Sequence, residues 1–365
     1  MDQGAWIAAG LYDPAAAGAG ERLELLQFLE AQGCTIEEMV AAHARGRLFA
    51  LAGDRVIRPD RDRYDLEQVA ELTGFPVAEV RAMWRAFGLV DVGGPVASPD
   101  DVEMVRTALE MAGALGLEPT IGLARVMGAS MARIGDATST VVRGRLPSMS
   151  VASSGSELAT ATAFAAIAAG VPQMGRMLDT LYRHHLESAR MHFERTESWD
   201  IVGEGGIRVA VGFADLCGFT GLTQQLRMDE LSQLLTGFEQ IAADVVADHA
   251  GRLVKFIGDA VMYVTPDVVS AVAVADDLIA SAEINGLQAR AGITSGTALA
   301  MDGDYFGPVV NLAARLVGIA DPGDVLVSDD VVERLGDRRS AKSLGLQRMR
   351  GFADPVSVSR LDRAG

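Results

Sequence analysis

Two acidic residues at the ends of two apolar runs constrain this chain more than any other feature. Arg208-Val-Ala-Val-Gly-Phe-Ala-Asp215-Leu-Cys-Gly-Phe-Thr220 reads as a buried strand that runs out of apolar residues at Asp215 and turns through Gly218 into a helix. An amphipathic helix over 229–249 follows and ends before Gly251. Arg252-Leu-Val-Lys255-Phe-Ile-Gly258-Asp259-Ala-Val-Met-Tyr-Val264 then reads as a hairpin with Gly258-Asp259 at its tip. If the two strands are sheet neighbours their carboxylates converge, because adjacent strands lie about 4.8 Å apart. Carboxylates that close repel, and a shared proton or a bound cation resolves the repulsion. Either aspartate alone is as readily a turn residue. Taken together with the motifs downstream, the pair points to a metal.

Length and composition bound the alternatives. At 365 residues the chain is long for one core and comfortable for two domains. A mean hydropathy of +0.20 predicts a globular protein rather than a disordered one. The longest apolar run, 158–171, is bracketed by Glu157 and Pro172 and is too short to span a bilayer, so no transmembrane segment is predicted. Residues 1–20 lack a basic segment ahead of an apolar block, which predicts no signal peptide. Cys34 and Cys217 form neither a disulfide framework nor a zinc-binding spacing, and a reducing cytoplasm fits. The formal charge of -17 argues against nucleic-acid binding, because a polyanion must be met by a local excess of Lys and Arg.

The N-terminal half reads as helical. Thr35 with Glu38 three residues on has capping-box spacing, and Ser98-Pro99-Asp-Asp is a strong helix start. Between them, 64–88 is two short helices about Gly74, the shape of a helix-turn-helix. Its second helix offers only Arg81 and Arg85 beside Glu79, a poor face for reading DNA, so a helical packing module is the better reading. Residues 148–156 are small and polar and read as a loop. The run 158–171 reads as the central helix of the N-terminal core, with a pocket for an apolar small-molecule ligand as the alternative.

Leu178, His185, His192 and Trp199 recur every seven residues and so share one stripe of a connecting helix, with His184 beside it. Histidine changes charge near neutral pH, so protonation would place cations in an otherwise apolar seam and weaken it. Solvated histidines on an exposed helix are the competing reading. Beyond Ile207 strands alternate with helices: helices over 266–285, 307–319 and 329–335, strands over 288–295 and 324–328, and a closing pair over 347–350 and 356–361. Two helices crossing a mostly antiparallel sheet predict a ferredoxin-like α+β core.

Phe213-Ala-Asp-Leu-Cys-Gly-Phe-Thr220, Lys255-Phe-Ile-Gly-Asp259 and Gly307-Pro-Val-Val-Asn311-Leu-Ala-Ala-Arg315 resemble, in order and near the usual spacing, the three signatures of class III nucleotidyl cyclases. The resemblance covers 208–361. It implies that Asp215 and Asp259, helped by the Leu216 carbonyl, hold two divalent ions, Mg²⁺ or Mn²⁺. One activates the ribose 3′-hydroxyl and the other neutralises the triphosphate. In-line attack on the α-phosphate then releases pyrophosphate and closes a 3′,5′-cyclic nucleotide. It further implies that backbone amides of Cys217, Gly218, Phe219 and Thr220 meet the β- and γ-phosphates. Asn311 and Arg315, spaced i, i+4 on one helix face, would orient the ribose and stabilise charge on the α-phosphate.

Lys255 and Asp304 fall where adenylyl cyclases carry a donor and an acceptor for adenine, whereas guanylyl cyclases place Glu and Cys there. The resemblance therefore implies ATP as substrate and cyclic AMP as product. It also implies a symmetric homodimer whose two sites each take the metal aspartates from one protomer and Lys, Asp, Asn and Arg from the other. The segment between Gly296 and Asp304 is shorter than the family's usual arm, and either Arg348 or Arg350 stands in for its C-terminal lysine.

The layout as a whole is similar to mycobacterial soluble adenylyl cyclases with a pH-responsive N-terminal domain. It predicts a helical regulatory domain over 1–177, a connecting helix over 178–204 and a catalytic domain over 205–365. The alternatives are a catalytically silent cyclase-like module that binds nucleotide or dimerises, and a helix-turn-helix regulator.

Overall fold

A computed structural model describes residues 3–60, 62–145, 151–195 and 206–363. The chain divides into two compact units, Met1–His185 and Leu186–Gly365.

The regular elements among the first unit's described residues are helices, with one isolated bridge between Tyr64 and Ala97. Helices α1 (Gln3–Ala8), α2 (Ala19–Ala31), α3 (Ile36–Ala44) and α4 (Leu51–Ile57) surround a core of Trp6, Leu25, Leu26, Leu29, Met39 and Leu48. Helices α5 (Leu66–Thr73), α6 (Val77–Ala86), α7 (Pro99–Leu115) and α8 (Leu117–Arg145) enclose a second, built on Val69, Val80, Met83, Trp84, Val105 and Leu109. The start signals are realised as hydrogen bonds. Thr35 and Glu38 cap α3 reciprocally, with the Thr35 amide donating to Glu38 Oε2 at 2.8 Å, and Ser98 with Asp101 does the same for α7 behind Pro99. Of the expected loop at 148–156, residues 148–150 lie outside the described set, whereas α9 (Val151–Ser154) is a turn of helix.

α10 (Glu157–Ala168) lies against α2 and α4 through one face, with Thr160, Ala161 and Ala168 buried and the rest of the helix partly or fully exposed. α11 (Val171–Arg195) follows after a turn at 169–170. Together Glu157–Arg190 is long and apolar enough, by length and composition, to cross a membrane, which counting the uncharged run alone had not suggested. Only 17% of its most apolar window is buried within the described structure.

The second unit is a sheet in the order β2-β3-β1-β4-β6-β8-β7, with β5 paired to β4. β1 (Gly206–Leu216), β2 (Arg252–Ile257), β3 (Ala260–Thr265) and β4 (Ala289–Met301) are antiparallel neighbours. They alternate with α12 (Phe219–Thr223), α13 (Met228–Asp248) and α14 (Val268–Ile284), giving the predicted ferredoxin-like βαββαβ core. Ala210, Ala214 and Leu216 point to the α13–α14 face, while Val209, Val211 and Phe213 point to the opposite one. β5 (Asp304–Phe306) and α15 (Pro308–Ile319) come next, and α15 covers that second face. Its seat depends on Gly292, where a Cβ would stand 2.4 Å from the Val317 amide nitrogen. β6 (Val325–Ser328), α16 (Asp329–Leu335), β7 (Ala341–Gln347) and β8 (Val356–Leu361) extend the sheet, β6 pairing parallel to β4.

Two expectations are corrected. β4 does not stop at 295 but runs to Met301 and doubles back as β5 through a two-residue turn, Asp302 and Gly303, both at positive φ. The penultimate strand is 341–347, not 347–350, because Met349 sinks into the core below α15 and leaves the strand path.

Candidate active site

Asp215 ends β1 and stands opposite Ala260 on one side and Arg290 on the other. Directly opposed residues share a face, so all three lie on the α15 side of the sheet. Arg290 donates from Nε at 3.1 Å and from Nη2 at 2.9 Å to Asp215 Oδ2, and from Nη1 to the Ala320 carbonyl at 3.0 Å. Asp259 joins this group from the β2–β3 turn, its carbonyl accepting from the Leu216 amide at 3.3 Å. Burial pushes the Asp259 carboxyl up from its ordinary range, with the Asp215 charge acting in the same direction and Arg290 against it. The two aspartates are thus electrostatically coupled, as the pairing of β1 with β3 brings about.

Two carboxylates and a backbone carbonyl are hard oxygen donors of the kind Mg²⁺ or Mn²⁺ takes, and the mutual repulsion felt at Asp259 is what a cation relieves. The donor set therefore fits a divalent ion. The Cys217 amide donates to the Gln288 carbonyl at 2.7 Å and is not free for a phosphate. Gly218 follows it in the left-handed region and turns the chain into the short α12, which begins with Phe219 and Thr220.

Lys255 belongs to a second group. A β-bulge between Leu253 and Lys255 leaves Val254 unpaired. Regular alternation would place Lys255 on the face of Leu253, which packs toward α13 and α14. The bulge instead sets it opposite Met262, on the α15 face. There its ammonium forms an ion pair with Asp304 Oδ2, while Asp304 Oδ1 accepts from the Tyr305 amide at 2.8 Å. Sequence reasoning named these two residues; the structure brings them into contact. Asn311 and Arg315 sit one turn apart on α15, both exposed, and Arg315 Nε donates to the Arg350 carbonyl at 3.2 Å. Arg348 and Arg350 are exposed on either side of buried Met349.

Comparison with known proteins follows the same division. Residues 7–189 match the adenylate cyclase regulatory domain family, and 204–355 match the adenylate and guanylate cyclase catalytic domain family. An adenylate cyclase of Streptomyces coelicolor is 32% identical over 80% of this chain and 77% of that protein. This chain belongs to the class III adenylate cyclases. The pH-sensitive adenylate cyclase of Mycobacterium tuberculosis is 30% identical, over 94% of this chain and 88% of its own length. An uncharacterised protein of the same organism is 41% identical, over 99% and 94%.

Within this cyclase the sequence reading missed Arg290. It is the one charged residue in the otherwise apolar and small stretch 289–296, and that isolation was the available signal. The bulge at Val254 leaves no such trace, since Leu-Val-Lys reads as ordinary alternation. In the regulatory unit, Arg81 is paired with Glu67 and Asp91, and Arg85 lies 4.0 Å from Asp91, so the helix-turn-helix carries no open basic face there. His184 and His185 are exposed on α11 amid Leu181, Tyr182 and Leu186, themselves exposed. His192 lies on the same helix, and Trp199 falls outside the described residues.

Proposed function

We propose that this cyclase converts ATP to 3′,5′-cyclic AMP and pyrophosphate at the interface of a homodimer, under control of its helical N-terminal unit. The Lys255–Asp304 pair carries the choice of ATP: a donor and an acceptor set side by side match the ring nitrogen and amino group of adenine. Each protomer has Asp215, Asp259 and Arg290 in one group and Lys255 with Asp304 in another, as sites completed by a second copy require.

Asp215 and Asp259, with the Leu216 carbonyl, would hold two divalent cations, which supply Lewis acidity toward the ribose 3′-hydroxyl and neutralise the triphosphate. Arg290, already beside Asp215, adds positive charge on the triphosphate side. The amides of Gly218, Phe219 and Thr220 meet phosphate oxygens at the strand-to-helix turn. Asn311 orients the ribose, and Arg315 meets the charge that develops on the α-phosphate. Arg348 or Arg350 serves the triphosphate from the loop that also holds Arg315.

Control by pH would act through His184, His185 and His192 on α11, where added charge opposes burial of the apolar stripe. An apolar ligand has a different place from the run 158–171: a groove of about 300 Å³ lined by Phe87, Met104, Met111, Leu123 and Met127. The test is cyclic nucleotide formation by the full-length chain from ATP or GTP with Mg²⁺ or Mn²⁺, at pH 5.5 and 8. Cyclic AMP made by the wild type and lost in Asp215→Ala supports the reading. No product under any condition, the isolated catalytic unit included, would favour a silent nucleotide-binding module.

A further inference from the structure

Lys255 and Asp304 are each held in place by a neighbour in sequence, and both neighbours sink into one apolar cluster. Tyr305 follows Asp304 and is 2% exposed, buried with Val209, Phe213, Met262, Val264 and Ala298. Val254 precedes Lys255, and as the extra residue of the bulge it packs against that same cluster. Strand β5 has three residues, pairs with the end of β4 and lies beside α15, and Tyr305 is its one buried side chain among the described residues. The buried Tyr305 hydroxyl has Arg252 near it but meets no partner at ordinary hydrogen-bond geometry among the described residues, which assigns the anchoring mainly to the ring. From this anchored residue the amide reaches back to Asp304 Oδ1, leaving Oδ2 for Lys255.

We propose that Tyr305 and the bulged Val254 are positioning residues that set the choice of base, by locking the acceptor and donor of the Lys255–Asp304 pair to one patch of core. The inference rests on the reading that this pair selects adenine. A polar pair discriminates only as well as it is fixed, because a donor free to swing can satisfy guanine as well as adenine. Neither Tyr305 nor Val254 touches nucleotide in this scheme.

The test compares KM and kcat for ATP and for GTP in the full-length homodimer. The variants are Asp304→Ala, Tyr305→Leu, Tyr305→Phe and Gly303→Val. Gly303 sits at φ +78 in the β4–β5 turn with open space around it, so Val there strains the hairpin without touching the core. Tyr305→Leu and Gly303→Val are expected to raise the KM for ATP and to lower the ATP-over-GTP preference about tenfold, with kcat nearly kept. Tyr305→Phe retains wild-type preference. If Tyr305→Leu does not fold, Gly303→Val carries the test alone. Unchanged preference in the folded variants, or an equal loss for both nucleotides, overturns the positioning role, provided Asp304→Ala loses preference. An Asp304→Ala enzyme that still prefers ATP as the wild type does overturns the base-reading role itself.

Discussion

Arg290 and Asp215 stand directly opposite each other across β1 and β4, joined by two hydrogen bonds to a single carboxylate oxygen. The second oxygen of Asp215 stays available to a cation while the arginine fixes the side chain. Replacing Arg290 with Ala removes the positive charge that acts against the Asp215–Asp259 repulsion. We expect kcat/KM for metal–ATP to fall on the order of a hundredfold, with Arg290→Lys recovering only part, since an ammonium lacks the fork that makes two bonds at once. Steady-state kinetics at saturating Mn²⁺ would show it; near-wild-type activity in Arg290→Ala would remove this residue from the site.

Asp259 yields a prediction about stability with a definite sign. Its folded-state pKa is raised above the ordinary carboxylate value, so near neutral pH its ionised form is less favourable in the folded chain than in the unfolded one. The resulting cost is present above the folded pKa and disappears as pH falls through it. Asp259→Asn removes the cost, so the metal-free variant should melt slightly higher than wild type at pH 7 and no higher at pH 3, while losing cyclase activity. Thermal melts in chelator at the two pH values decide it. A variant that melts lower at pH 7 would mean that the carboxylate is a structural turn residue.

Much of this site was legible because its chemistry sits where local patterns end. Asp215 closes an apolar strand, Gly258-Asp259 marks a hairpin tip, and Asn311 and Arg315 share a helix face, each visible within a dozen residues. What stayed hidden depends on register. Arg290 acquires its meaning only once β4 is laid beside β1, seventy-five positions earlier in the chain. β4 beyond Ser295 reads Gly-Thr-Ala-Leu-Ala-Met, with alanine on the inner side and Leu299 and Met301 exposed, so alternation misleads, and its pairing with β5 comes from the turn at Asp302-Gly303. Lys255 was singled out from the sequence without any hint of the bulge that turns it to the α15 face.

The capping boxes of the regulatory unit make a simpler case. Ser98 Oγ accepts from the Asp101 amide at 3.2 Å, and the Ser98 amide donates to Asp101 Oδ2 at 2.8 Å. Ser98→Ala should destabilise the unit by about 1 kcal/mol, the usual cost of a lost N-cap, with catalysis otherwise intact. Urea unfolding of the full chain measures it, and Ser98→Asp, which can still accept the bond, should recover most of the loss.

Protonation at α11 would be read in activity rather than in stability. Replacing His185 and His192 by Gln keeps the polarity but removes the titration, so any pH dependence of the intact cyclase should flatten. Deleting 1–200 should in turn raise basal activity if the N-terminal unit restrains the catalytic one. An unchanged pH profile in the double variant would move the sensor elsewhere, and a soluble, dimeric truncation without activity would argue against restraint.

A shared site makes the last prediction, because it can be tested with two dead enzymes. Asp215→Ala lacks a metal carboxylate but keeps Lys255, Asp304, Asn311 and Arg315; Asn311→Ala has the opposite deficit. If each site draws one set from each protomer, a mixed dimer contains one site with both defects and one with neither. Random pairing of equal amounts makes half of the dimers mixed, so activity should return to about a quarter of wild type after co-refolding or coexpression. Recovery should need subunit exchange, and mixing preformed dimers without it should give none. Two variants that stay inactive under every mixing condition, while scattering shows mixed dimers, would place both sets of residues in a single-chain site.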